Sequence, residues 1–99
     1  MRAVTCLYLY NENEKFFGEG PCQLLHAIET HGSLRSAAKS MGLSYSKAFH
    51  MIANAEKALG YPLTQKIIGG KGGGGSILTK EAKAFLEKYE AYREACYEA

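Results

Sequence analysis

Polar side chains near the middle of the chain carry the hydrogen-bonding groups that recognise nucleic-acid bases. If the apolar residues Ala48, Phe49, Ile52 and Ala55 face inward on a helix, the polar residues near them face solvent. A lysine can donate to guanine O6 and N7, an asparagine can pair with adenine, and a serine hydroxyl can serve several bases. The predicted base-reading set is Ser44, Tyr45, Ser46, Lys47, His50 and Asn54.

The aromatic and imidazole side chains of this helix allow more than one interpretation. His50 is either a base reader or a solvated surface histidine, and the sequence leaves both open. Tyr45 can pack its ring on the buried face while its hydroxyl reaches a phosphate. Phe49 is expected to face inward as an aromatic core anchor, so its removal should loosen the domain.

Basic residues surround this helix. Residues 31–81 carry seven lysine and arginine side chains against two glutamates, whereas both ends of the chain are mildly acidic. A central basic block favours a polyanionic partner. Side chains and backbone N–H groups near the start of the preceding helix would hold phosphates and set the register. The predicted phosphate and wing contacts are Ser33, Arg35, Lys39, Lys66, Gly70, Lys71, Gly72, Gly73 and Ser76.

Several of these residues belong to the segment IIGGKGGGGSILT (67–79), in which six glycines surround Lys71. A P-loop needs a lysine after its second defining glycine, and glycine or serine stands there. Gly70, Gly72 and Gly75 spell GxGxxG, but a strand, not a helix, is expected to follow. A linker is excluded because only about twenty residues remain beyond it, too few for a second core. The run is therefore predicted to be a hairpin tip, where glycine lets the backbone approach a ligand closely.

Capping residues divide the chain into short elements. Gly32, Gly42 and Gly60 end successive helices, and Ser33 and Ser44 cap the second and third. Two helices joined by a short turn containing glycine are typical of a helix-turn-helix, and the glycine-tipped hairpin after it would be a wing. The predicted order is a strand over 3–10, a return strand at 15–17, a helix from Gly20-Pro21 to Gly32, a helix-turn-helix over about 33–60, a wing over about 62–79 and a last helix over about 79–97.

The 99 residues are expected to form one domain, mainly α with a small β component, in a winged helix-turn-helix fold. Apolar residues of the long C-terminal helix recur at spacings of three and four, as in a coiled-coil seam. Tyr89 and Tyr92 are expected to lie beyond the reach of so small a core. The predicted dimer interface consists of Phe85, Tyr89, Tyr92 and Cys96.

The residue pattern does not favour enzyme chemistry, a cofactor or a metal site. Paired carboxylates and a nucleophile–base constellation are missing from the sequence. The three cysteines, Cys6, Cys22 and Cys96, form no CxxC pair, and we expect buried structural thiols. Cys96, near the end of the chain, is the one expected to be open to intermolecular oxidation. No apolar run approaches the roughly 18 residues of a membrane span. The first residues do not resemble a signal peptide, so a cytoplasmic location is expected.

Two segments resemble the winged-helix domain of the molybdate-responsive ModE regulators. They are GSLRSAAK (32–39) with LSYSKAF (43–49), and the wing GGKGGGGSILT (69–79). The resemblance extends over about residues 3–92, and the chain is more distantly similar to the DNA-binding domains of LysR-type regulators. This resemblance implies a dimeric transcriptional regulator that binds double-stranded DNA in a sequence-specific manner. Phe49 stands where the family often has tryptophan.

The family's oxyanion-binding modules lie beyond the part that this chain resembles, so no molybdate effector is expected on it. Two other functions stay open: a winged helix that binds protein, and a small oxyanion-binding protein that uses the glycines around Lys71. A protein-binding winged helix would present an apolar recognition face. The polar and basic residues Lys47, His50 and Asn54 favour DNA.

Overall fold

The computed structural model describes residues 6–67 and 75–98 of the chain. These residues form four helices and two antiparallel hairpins, in the order β1 (Leu9–Asn11), β2 (Glu14–Phe17), α1 (Glu19–His31), α2 (Leu34–Ser40), α3 (Tyr45–Leu59), β3 (Thr64–Ile67), β4 (Gly75–Leu78) and α4 (Lys80–Glu98). The predicted mainly α, winged helix-turn-helix architecture is confirmed. No helix of the described residues is both long enough and apolar enough to cross a membrane.

The predicted helix caps are present. The Ser33 hydroxyl oxygen accepts from the Ser36 N–H at 3.0 Å, and the Ser44 hydroxyl oxygen accepts from the Lys47 N–H at 3.1 Å. Gly32 and Gly60 end α1 and α3 with φ of 81° and 84°, a conformation that glycine adopts without a Cβ penalty. Local sequence therefore sets the limits of the helix-turn-helix.

The first elements begin at other residues than predicted. Helix α1 starts at Glu19, two residues before Pro21, which still lies in the first turn where its missing N–H is not needed. A strand is expected over residues 3–10, but among the described residues only Leu9–Asn11 form a strand, β1. A register shift lies between Leu9 and Tyr10, and Leu9 pairs with Phe17, the last residue of β2, so β2 offers no partner to the residues before Leu9. Residues 3–5 lie outside the described part of the chain.

The wing is attached to the helices through its backbone. The Ser76 N–H on β4 donates to the Gly32 carbonyl oxygen at the end of α1 at 2.8 Å. At the base of the hairpin, the Thr79 N–H donates to the Leu63 carbonyl oxygen at 3.0 Å and joins its two arms. Within the hairpin, Lys66 lies directly opposite Ser76. The predicted loop residues Gly70, Lys71, Gly72 and Gly73 fall outside the described residues.

Small side chains form the contacts between the helices of the helix-turn-helix. Ala37 and Ala38 of α2 and Ala48 and Ala55 of α3 are buried, and such residues allow close helix packing. The expectation that Phe49 anchors this core is wrong, because its side chain is 51% exposed. Its direction differs from that of Ala48 by about 100° around the helix axis, which carries the ring to the edge of the contact.

The core also contains a residue that the sequence placed elsewhere. Tyr89 of α4 is 3% exposed, and its ring packs edge-on against Phe17 at a centroid distance of 4.9 Å. Its hydroxyl donates to the Leu7 carbonyl oxygen at 2.6 Å, and burial raises the pKa of Tyr89 to about 12. The expectation that Tyr89 lies beyond the core is therefore wrong. Phe85 packs on the same Phe17 ring, at 4.7 Å.

The cysteines lie in different environments. Cys22 on α1 is buried, as expected, whereas Cys6 and Cys96 are exposed. The expectation of a buried thiol is therefore wrong for Cys6, whereas the exposure of Cys96 agrees with the separate expectation for that residue. Both exposed cysteines lie near an end of the described part of the chain, where little core is available to cover them.

Candidate nucleic-acid interface

All six residues of the predicted base-reading set are exposed on or just before α3. Ser46 and His50 point opposite to the buried residues Ala48 and Ile52, because positions two apart diverge by about 200° on a helix. These two residues therefore form the outermost ridge of α3. The other members lie on its two flanks.

Lys47 and Asn54 share one flank of α3. Together with Tyr8, Lys15 and Met51 they line a hollow of about 430 Å³ between α3 and the N-terminal hairpin. The hairpin thus places a further lysine beside the recognition helix. Sequence reasoning missed Lys15, because no local pattern connects it to residues more than thirty positions away.

The hydrogen bond of His50 decides which ring nitrogen remains available. Nδ1 lies 2.8 Å from the Ser46 carbonyl oxygen, which can only accept, so Nδ1 carries the proton. Nε2 of the neutral ring is then a free acceptor. A neutral His50 can accept from the amino group of cytosine or adenine, the donors of the major groove.

The other flank of α3 is aromatic. The rings of Tyr45 and Phe49 stack at a centroid distance of 6.4 Å, and both side chains are about half exposed, at 44% and 51%. The expectation that Tyr45 packs inward is wrong. The Arg35 guanidinium of α2 lies over the Tyr45 ring, with Cζ 5.0 Å from its centroid. This cation–π contact fixes the arginine beside the first turn of α3.

A cleft between α2, α3 and the wing brings together most of the described phosphate-binding candidates. Its volume is about 270 Å³, and it is lined by Ser33, Leu34, Arg35, Tyr45, Lys66, Gly75 and Ser76. We call it the α2–wing cleft. Two of these seven residues are cations and none is a carboxylate. The cleft therefore has the charge and the hydroxyl groups that an anionic oxygen group requires.

Close backbone approach explains why Gly75 belongs to this cleft. A Cβ atom added to Gly75 would lie 2.7 Å from the Gly32 carbonyl oxygen, so any other residue would push the wing away from the helix-turn-helix. Sequence reasoning did not include Gly75 among the site residues. Nothing in a run of four identical glycines, 72–75, indicates which one makes the contact.

Some predicted contact residues already use part of their hydrogen-bonding capacity, and one lies away from the α2–wing cleft. The hydroxyl oxygens of Ser33 and Ser44 already accept a backbone hydrogen bond, so each serine offers a ligand mainly its O–H as a donor. Lys39 is exposed but does not line the α2–wing cleft. The remaining wing candidates, with Lys71 at their centre, lie outside the described residues.

A short helix, a glycine-containing turn, a second helix with an exposed polar ridge and a following hairpin define a winged helix-turn-helix protein. The chain belongs to the bacterial regulatory helix-turn-helix proteins of the lysR family, whose model matches residues 22–83.

Individual relatives make the resemblance more specific. The DNA-binding transcriptional dual regulator ModE of Escherichia coli K12 is 31% identical over 90 residues, which is 91% of this chain and 34% of the relative. The molybdenum transport protein ModE of Azotobacter vinelandii is 38% identical over 69 residues, or 70% of this chain and 26% of the relative. The molybdenum-pterin-binding protein MopB of Rhodobacter capsulatus is 37% identical over 68 residues, or 69% of this chain and 25% of the relative. The chain thus spans about a third or less of the length of these relatives, and it is a ModE-like winged helix-turn-helix domain.

Proposed function

We propose that this chain is the DNA-binding part of a transcriptional regulator and recognises double-stranded DNA in a sequence-specific manner. The observation that carries the proposal is the α2–wing cleft, where Arg35 and Lys66 lie beside the first turn of α3. A phosphate in this cleft would set the register of α3 in the major groove. The outer ridge and the Lys47 flank of α3 would then contact the base edges.

The cleft can be tested through the salt dependence of binding. Arg35→Ala and Lys66→Ala should each weaken binding to selected and random duplexes alike. Each should also reduce the salt slope, the slope of the logarithm of the binding constant against the logarithm of the salt concentration, in magnitude by about one per subunit. The matched control is Lys83→Ala on α4, since Lys83 is exposed and lines neither the hollow nor the α2–wing cleft. The DNA is first selected from a random pool. An unchanged slope in both cleft variants would exclude the cleft as a phosphate contact.

Base reading has a different signature from phosphate binding. Lys47→Ala should cost about 1–3 kcal/mol at the selected site and relax the preference at one base position in each half-site. A second selection with the variant protein measures this change directly. An unchanged preference and affinity would show that the Lys47 flank does not enter the groove.

The wing loop is the remaining phosphate candidate. Lys71→Ala should weaken binding to selected and random duplexes equally and reduce the salt slope by about one per wing. This prediction rests on the sequence of the loop, six glycines around one lysine. Affinity measured at several salt concentrations tests it, and identical slopes for the variant and the parent would exclude a wing contact.

We infer that the regulator acts as a homodimer. An apolar groove of about 450 Å³ runs between the N-terminal segment and α4, and Tyr92 at its edge is 64% exposed. A dimer would place two recognition helices on a twofold DNA site. The exposure of Tyr92 and Cys96 supports their part of the predicted interface. Sedimentation as a monomer at micromolar concentration would contradict the inference.

We further propose that the chain has no enzymatic activity, works in the cytoplasm and binds no molybdate by itself. The relatives named as transcriptional regulators support the first of these statements. A molybdate titration followed by the melting temperature tests the last, because an anion that binds the folded state raises the melting temperature.

Protein binding is the second candidate function. It is favoured by one observation: the Tyr45–Phe49 pair exposes two aromatic rings on α3. The same rings can contact thymine methyl groups in a major groove. Phe49→Ala distinguishes the two, because it should lower DNA affinity only if α3 enters the groove.

A further inference from the structure

Three side chains of metal-binding type meet where α1 packs against α4, on residues that the proposed DNA contacts do not use. Cys22 and His26 are four positions apart on α1, and Glu90 belongs to α4. Their sulfur, ring nitrogen and carboxylate oxygen all lie within 4.8 Å of one another. The closest pair is His26 Nε2 and Glu90 Oε2, at 3.2 Å.

We propose that Cys22, His26 and Glu90 form a divalent-cation site that joins α1 to α4, and that Zn²⁺ is the ion that fits it best. Zinc binds thiolate, imidazole and carboxylate ligands in tetrahedral geometry. Zinc–ligand distances of about 2.0–2.3 Å place tetrahedral ligand atoms about 3.5 Å apart. The cluster reaches this spacing through small rotations of His26 and Glu90, whose side chains are 47% and 36% exposed. A water molecule would occupy the fourth position.

The orientation of His26 agrees with this assignment. Its Nδ1 faces Glu29 Oε1 at 3.7 Å, while its Nε2 faces Glu90. A metal bound between Nε2 and Glu90 would leave the ring proton on Nδ1, on the side of Glu29, which is the usual carboxylate–histidine–metal arrangement. Glu29 is thus a positioning residue for the site.

The local charges are also compatible with a cation. A Cys22 thiolate and the Glu90 carboxylate neutralise Zn²⁺. The neighbouring Arg93 guanidinium lies 3.5 Å from Glu90 Oε2, so a cation must compete with it there, but its Nη1 is held by Glu19 at 2.7 and 2.9 Å. Cys22 is a free thiol in the metal-free protein. Metal binding therefore forms one S–Zn bond and releases one proton from Cys22 to solvent.

No sequence pattern indicated this site, because Glu90 lies 64 positions from His26. Only the packing of α1 against α4 brings the ligands together. The site consists of residues on these two helices alone, so a cation there would hold α4 against α1 independently of any DNA contact. The expectation of no metal site is therefore replaced by this proposal.

Cobalt(II) is the appropriate probe because its spectrum reports thiolate coordination and geometry. The background protein carries Cys6→Ser and Cys96→Ser, which leaves Cys22 as the single thiol among the three cysteines. Titration with Co²⁺ should give a thiolate-to-cobalt charge-transfer band and intense tetrahedral d–d bands, and added Zn²⁺ should abolish both. Zn²⁺ should also raise the melting temperature of this protein.

His26 is exposed and Glu90 is half-buried, and neither belongs to the buried core, so the site can be removed without disturbing that core. His26→Gln and Glu90→Gln should each weaken binding more than about tenfold, the lower limit for losing even a supporting residue. Glu29→Gln should weaken it less than either. The matched control is His31→Gln, which removes another exposed histidine of α1 and should leave binding unchanged.

The proposal would be overturned by either of two results. One is a Co²⁺ spectrum without the thiolate band, which would mean that Cys22 is not a ligand. The other is equal affinity in the background protein, His26→Gln and Glu90→Gln, which would mean that the ion binds elsewhere. Circular dichroism of each variant shows that its helices are intact. None of these measurements depends on DNA binding.

Discussion

The helices α3 and α4 both carry aromatic residues next to an apolar stripe, and the two sets have opposite environments. On α3, Phe49 is 51% exposed although the sequence suggested a buried anchor. On α4, Tyr89 is 3% exposed although the sequence suggested a free interface residue. The period of the stripe is the same in both helices. The difference therefore comes from the elements that lie opposite each helix.

The partner of α3 leaves little space for a ring. Helices α2 and α3 are in contact, and Ala37, Ala38 and Ala48 are buried in one core, so these small side chains leave little space for an aromatic ring beside Ala48. The partner of α4 includes Phe17, whose ring accepts both Phe85 and Tyr89 in edge-on contacts. The backbone before β1 also offers the Leu7 carbonyl to the tyrosine hydroxyl. Burial of a ring thus follows the volume and polarity of its neighbours.

The largest expected change in stability concerns the buried ring of Tyr89 on α4. Tyr89→Ala should lower the free energy of unfolding by about 3–5 kcal/mol, because it removes a buried ring and leaves a cavity. Chemical denaturation at a fixed protein concentration measures the change. A loss below about 1 kcal/mol would mean that the ring is not a core element.

The second tyrosine of α4 separates the core from the proposed interface. Tyr92→Ala should leave the subunit's secondary structure intact and raise the dimer dissociation constant by about tenfold or more, as truncation of an aromatic interface residue does. Sedimentation equilibrium over a range of concentrations provides the measurement. The matched control is Lys88→Ala, which removes a neighbouring groove residue that carries charge instead of a ring. An unchanged dissociation constant for Tyr92→Ala would remove Tyr92 from the interface.

A smaller change resolves the two contributions of Tyr89. Tyr89→Phe keeps the ring contact with Phe17 and removes the hydroxyl that donates to Leu7. The expected loss is about 0.5–1.5 kcal/mol of unfolding free energy, the net value of one hydrogen bond. The difference between Tyr89→Ala and Tyr89→Phe gives the part of the unfolding free energy that the ring contributes. If both variants lost equal stability, the hydrogen bond would account for the whole effect.

The smallest stability effect is expected on α3. Phe49→Ala should change the free energy of unfolding by no more than about 0.5 kcal/mol, as is usual for exposed positions. Its DNA affinity should fall, because the ring borders the exposed ridge at His50. Thermal unfolding and a binding titration on the same sample measure both quantities. A stability loss near that of Tyr89→Ala would contradict the exposed position of Phe49.

Much of the candidate site could be predicted from the sequence. The polar ridge of α3 follows from helical periodicity once Ala48, Ile52 and Ala55 are taken as buried. The residues that the sequence missed, Lys15 and Gly75, both depend on contacts between distant segments. Gly75 approaches the Gly32 carbonyl, and Lys15 reaches α3 by way of the N-terminal hairpin. Periodicity describes a helix in isolation and carries no information about such contacts.

The sequence by itself determined where α1 ends, where α2 begins, where α3 begins and ends, and which elements follow one another. Ser33, Ser44, Gly32 and Gly60 act on backbone groups within a few residues of themselves, so their effect is readable locally. Tertiary structure alone decided which aromatic rings are buried, which cations share the α2–wing cleft and which side chains meet between α1 and α4. These outcomes depend on the volume and groups that a distant segment presents, and spacing along one helix does not specify them.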